Sequence, residues 1–144
     1  MTDYAAPRPH DPIEEIAPDI FMVRGSVQVT KRIQTSRNMA IIRHNGELSL
    51  INPIRLTEEG ERDLKELGTI KNIIRLGCFH GMDDPYYVDT FGAQMWSQEG
   101  ESMEDEFNRL LELEFDTLLS AHGSLLETGA REAVEKAVKK AFTD

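Results

Sequence analysis

The 144-residue chain, 40% hydrophobic and 7% aromatic, is the size of a single domain. Sixteen Lys and Arg stand against 26 Asp and Glu, for a formal charge of -10, with the acids spread along the chain. That balance argues against nucleic acid and against an anionic membrane surface, because both attract cations and repel a surplus of carboxylates. The one cysteine, Cys78, excludes an intramolecular disulfide and any zinc site built on several thiolates.

In chain order, residues 1–12 hold three prolines and no apolar run, so they read as a disordered arm rather than a signal peptide or anchor. A cytoplasmic protein is expected, with residues 13–144 as one domain. Ile20–Gly25 and Ser26–Val29 read as strand material interrupted at Gly25. Met39–Arg43 and Glu47–Ile51 flank His44-Asn45-Gly46, and Asn-Gly between apolar runs predicts a tight hairpin. Thr57 then caps a helix carrying Leu64 and Leu67, with acids in its first turn and Gly68 to stop it. The β-branched run Ile70–Leu76 follows, so strand, helix and strand form a crossover that makes the two strands parallel.

The segment Gly77–Pro85 consequently leaves the carboxyl end of a sheet strand, the edge where α/β sheets place ligands. Asp83-Asp84-Pro85 has the form of a helix start, with Pro at the first helical position and Asp before it. Ala93–Trp96 is a further strand, and Ser102–Asp105 resembles a capping box. Phe115–Leu119 reads as a short strand ending in Ser120-Ala121-His122-Gly123. In the last helix Ala130, Ala133, Val134, Ala137, Val138, Ala141 and Phe142 form one apolar stripe. Tyr86, Tyr87 and Trp96 are expected in a core or an interface, and Arg37 and Asn38 match no catalytic position.

Three of these segments, in this order, resemble the metallo-β-lactamase fold superfamily. They are the opening strands Ile16–Gly25, Arg37–Arg43 and Gly46–Asn52; Ile73–Asp84, where that family carries His-x-His-x-Asp-His; and Phe115–Gly123, similar to its strand ending in a His-Gly ligand. The resemblance implies an α/β fold, a truncated αββα layer with a mixed sheet and helices on one face. It is shortened, since about twenty-five residues separate Trp96 from His122, too few for the second half-sheet and its middle metal ligand.

The ligand set is correspondingly reduced. His80 matches the motif's second histidine, Cys78 stands where the first belongs, and Asp83 or Asp84 matches its acid only with one residue inserted. His10 and His44 fall outside the motifs. The resemblance therefore implies a protein without an intact dinuclear centre, a non-catalytic binding or assembly module that forms a homo-oligomer through the uncovered sheet face. The alternative is a mononuclear hydrolase of esters, thioesters or amides, its zinc or iron held by His80, Asp83 or Asp84, and His122, with Cys78 as a fourth ligand or a nucleophile and the small-molecule substrate unknown.

Overall fold

The computed structural model describes residues 4–30, 32–77, 80–97 and 103–142. Cys78, Ser102 and Gly100 lie outside them, so the thiol, the proposed capping box and the turn before it are not described. The chain falls into two compact units, residues 1–98 with 121–123, and residues 99–120 with 124–144.

The first unit is a six-stranded mixed sheet in sequential order, β1 (Glu14–Ala17), β2 (Ile20–Thr30), β3 (Ile33–His44), β4 (Glu47–Ile51), β5 (Thr69–Arg75) and β6 (Gln94–Ser97). The first four pair antiparallel, while β4–β5 and β5–β6 are parallel. The Asn-Gly turn joins β3 to β4 as predicted, with Asn45 and Gly46 both at positive φ, 51° and 78°, the pair that a two-residue hairpin turn requires. Helix α1 (Glu58–Leu67) supplies the β4–β5 crossover, and its Thr57 side chain accepts from the Gly60 N–H. Helix α2 (Asp84–Phe91) supplies the crossover to β6.

One expectation is corrected in β2, which is continuous from Ile20 to Thr30 with no break at Gly25. Glycine is there for close approach: a Cβ would lie 2.5 Å from Ile54 Cδ1 and 3.2 Å from the Arg37 carbonyl oxygen. Pairing with β3 from Ile20↔Ile42 to Thr30↔Ile33 carries the strand through.

Period-two alternation sends Phe21, Val23, Met39, Ile41, Leu48 and Leu50 to one face, where they pack with Leu64 of α1 and Tyr86 and Tyr87 of α2. In β5 the register shifts by one residue, so that Ile70 opposes Leu48 while Asn72 opposes Ser49; Ile70 and Ile73 both reach the core across the bulge at Lys71. The other face carries Ile42, Ser49, Asn72, Ile74 and Trp96, linked by Asn72 Nδ2 donating to Ser49 Oγ at 3.2 Å and Trp96 Nε1 donating to Asn72 Oδ1 at 3.0 Å. Ile42 and Trp96 remain 40% and 52% exposed. Tyr86 and Tyr87 are thus core as expected, and Trp96 is on the surface.

Residues 4–12 take no helix or strand, as prolines dictate, and several hydrogen bonds hold them to the rest of the sheet unit, among them the Asp11 N–H to the Arg24 carbonyl at 2.8 Å. Tyr4 meets Tyr86 edge to face and donates to Asp89 at 2.5 Å. His10 donates from Nδ1 to the carbonyl of Asp11, and its Nε2 accepts the Thr57 N–H at 2.9 Å, an otherwise unanswered donor at the start of α1.

The second unit contains α3 (Met103–Leu110) and α4 (Ala130–Phe142). Phe115–Leu119 is not the predicted strand: it contributes only the isolated bridge Leu118↔Leu126. Its local bonds serve the helix instead, with Asp116 accepting the Gly129 N–H on its side chain and the Ala130 N–H on its carbonyl. The buried face of α4 is narrower than its apolar stripe, comprising Ala130, Val134 and Val138, while Ala133, Ala137 and Phe142 are exposed.

Candidate functional site

The carboxyl ends of β4 and β5, residues 76–77 and 80–83, and the segment Ala121–Gly123 converge beside β3. Asn38 of β3 donates its backbone N–H to the Ala121 carbonyl at 2.8 Å and its side-chain amide to the Gly123 carbonyl at 3.0 Å, and Gly123 N–H donates to Ser36 Oγ at 2.7 Å. These bonds present His122 to the loop that holds His80.

The two predicted histidines meet, Nε2 to Nε2 at 2.9 Å. His80 Nδ1 lies 2.6 Å from the Leu76 carbonyl oxygen, and His122 Nδ1 contacts the carbonyl oxygen of Ser36. A carbonyl can only accept, so each Nδ1 carries a proton, and two neutral rings in this arrangement would turn their Nε2 lone pairs toward each other. Two such lone pairs repel unless a proton or a cation lies between them. A backbone carbonyl on Nδ1 is also the usual support of a metal-ligating histidine.

The acids behave differently from each other. A helix starts at these acids as expected, with Asp83 at the N-cap position of α2 and Pro85 in its first turn, but the Asp83 side chain makes no capping bond and is held by Arg37 instead. That arginine, 3% exposed, donates from one terminal nitrogen to Asp83 Oδ2 at 2.9 Å and from the other to the carbonyls of Pro53 (2.8 Å) and His80 (2.6 Å). Asp84, 4% exposed, has no hydrogen bond on either oxygen and faces Arg75 Nε at 3.6 Å. Burial pushes its carboxyl above the ordinary carboxylate range, against the pull of Arg75 and Arg37.

Arg37 is the residue that sequence reasoning missed. Its signal was present in the period-two pattern, since Arg37 shares a face with core residues Met39 and Ile41 and is therefore a buried charge in need of a partner.

No protein-family model matches the sequence, and no curated protein matches it. Among solved structures, the chain is similar to the DIM-1 metallo-β-lactamase exposed to ceftazidime, at a TM-score of 0.51 and 12% identity over 74% of this chain and 48% of that one. It is also similar to a metallo-β-lactamase from Erythrobacter litoralis, at a TM-score of 0.43 and 8% identity over 63% and 43%. At such identities the likeness is one of fold alone. The chain has a metallo-β-lactamase-like fold, and it spans about half the length of the first of these structures.

That fold implies a metal centre, and the residues present do not fit a two-metal one. Only two histidines converge, Asp83 is already bound by a guanidinium, and no group of three or more His, Cys, Asp or Glu among the described residues is placed to hold an ion. For a single ion the histidine pair offers two nitrogens, whose 2.9 Å separation is somewhat shorter than the roughly 3.3 Å that two nitrogens span on tetrahedral zinc.

Proposed function

We propose that this protein is a metallo-β-lactamase-like binding or assembly module whose ancestral site has been rebuilt around arginine and which does not catalyse hydrolysis. The observation that carries this reading is the buried Arg37–Asp83 pair. A guanidinium neutralises the acid and ties down the backbone of the histidine loop, so that an ordered, charge-balanced corner needs no metal. A divalent cation brought here would meet a buried positive charge that cannot be deprotonated.

The partner is a second copy of the chain, taken up on the sheet face that carries Ile42 and Trp96. The surplus of acids keeps nucleic acid and anionic membranes away; among the described residues no helix is long and apolar enough to cross a membrane. A cytoplasmic setting suits the single cysteine. The test is elemental analysis of untagged protein with light scattering on the same sample. A metal-free dimer without esterase or thioesterase activity is expected, and a monomer at micromolar concentration would overturn the assembly role.

The histidine pair favours a second reading, a mononuclear metal-dependent hydrolase. His80 and His122 would hold one zinc or iron, with the buried Asp84 carboxylate and Cys78 as the nearest candidates in sequence to complete the set, and the ion would supply Lewis-acid chemistry toward an ester, thioester or amide. The chain's own part is the pair of backbone carbonyls that keep both Nδ1 protons in place. One metal per chain, removed by chelator and lost in His122→Ala, would favour this reading over the first.

A further inference from the structure

A chain with ten surplus negative charges should present negative potential over most of its surface, yet one crevice of the sheet unit gathers three arginines. Ala5, Ala6, Arg8 and Pro9 line it together with Arg37, Arg55 and Asp83, and Arg55 donates from one terminal nitrogen to the Ala5 carbonyl at 3.3 Å. The enclosed room is small, about 20 Å³, space for about one water-sized group, and it opens to solvent.

The charges do not cancel. Arg37 is paired with Asp83. Arg55 faces Glu61 at 3.7 Å and lies over the Tyr86 ring, with Cζ 3.3 Å from the centroid. Arg8 donates to Gln28 Oε1 at a long 3.4 Å and has no carboxylate partner among the described residues. Three guanidiniums therefore share two carboxylates.

We propose that the mouth of this crevice is an oxyanion-binding site, which takes the carboxylate or phosphate group of a small ligand between Arg8 and Arg55. Guanidinium forks match the geometry of both groups, and an anion held there would answer the one uncompensated charge. Arg37, too enclosed to touch a ligand, contributes its field and keeps Asp83 from repelling the anion. The proposal goes beyond the function argued above, because neither Arg8 nor Arg55 belongs to the histidine and aspartate site.

The test is a titration of the full chain with inorganic phosphate, and separately with acetate, at constant ionic strength with chloride as the reference. Arginine Nε–H resonances and the amides of Ala5, Ala6 and Arg8 are followed by NMR. Saturable shifts are expected, weakened about tenfold or more in Arg8→Gln, a change at an exposed position that leaves the fold intact. His122→Ala should bind phosphate as the parent does, so loss of the histidine site and failure of this one are told apart. Tighter binding of phosphate would identify a phosphorylated ligand, and tighter binding of acetate a carboxylate. Shifts no different from those in chloride, or equal affinity in the parent, Arg8→Gln and Arg55→Gln, would overturn the proposal.

Discussion

Residues 80–83, at the entry to α2, feed two neighbouring corners that differ in what they leave unfinished. Around Arg37 and Asp83 the charges are buried, matched and hydrogen-bonded to two carbonyls. At His80 and His122 the rings are partly or largely exposed and their Nε2 atoms face each other across a gap suited to a proton or a cation. The first corner is a structural device, because removing either partner strands a charge inside the protein. The second can change its occupant at little cost to the fold. In this fold the carboxyl edge of the sheet is where chemistry is expected, and here the more deeply buried part of that edge has been given over to holding the loop.

The largest effect should come from breaking the buried corner. Arg37→Met leaves Asp83 and the carbonyls of Pro53 and His80 without their donor, and a loss of about 3–5 kcal/mol is expected in urea unfolding, as for other broken buried pairs. Removing both charges together, Arg37→Met with Asp83→Leu, should restore part of that loss, because the penalty of the single change lies in the stranded carboxylate.

Next in size is Tyr87→Phe. The buried hydroxyl donates to the Ile54 carbonyl at 2.7 Å, one residue beyond the Pro53 carbonyl that Arg37 binds, and its loss should cost about 1–2 kcal/mol in the same measurement. Burial holds the phenol far above its ordinary titration range, so this bond should persist through alkaline pH until unfolding.

Asp84→Asn separates the two acids. The folded-state carboxyl titrates above its ordinary value of 3.8, so the protonated form is the one the fold favours. Its contribution is fully present below that value and is lost as pH rises through the raised one. The variant should therefore be at least as stable as the parent at pH 7, with the difference shrinking toward pH 3.8, as read by thermal unfolding across pH. A variant that is clearly less stable at pH 7 would show that the Arg75 pairing outweighs desolvation.

The smallest effect on stability belongs to His122→Ala. The ring is exposed, and the segment keeps the Asn38 N–H bond to the Ala121 carbonyl and the Gly123 N–H bond to Ser36 Oγ, so a change within about 0.5 kcal/mol is expected. A larger loss would mean that the histidine pair is itself a structural staple, and the contrast between the two corners would disappear.

Local signals made much of this sheet unit legible. The Asn45-Gly46 turn, the Thr57 cap and the β-branched run of β5 each rest on a few adjacent residues, and together they imply the hairpin and the parallel crossover. Order along the chain was enough to bring His80 and His122 to one place. The strand expected at Phe115–Leu119 did not form, since an apolar run becomes a strand only beside another that can pair with it, and here it meets a single bridge.

What the chain determined by itself is accordingly the set of elements, their order and the alternation that gives the sheet a core face. What only the tertiary structure decided is the role of the charged residues. Asp83 and Asp84 are adjacent and chemically identical, and a local reading makes both of them helix-start acids. Their difference is created by a side chain 46 residues away, for Asp83, and by burial beside Arg75, for Asp84. Backbone propensity acts over a few residues, whereas the free energy of a charge depends on whatever the fold brings within a few ångströms of it.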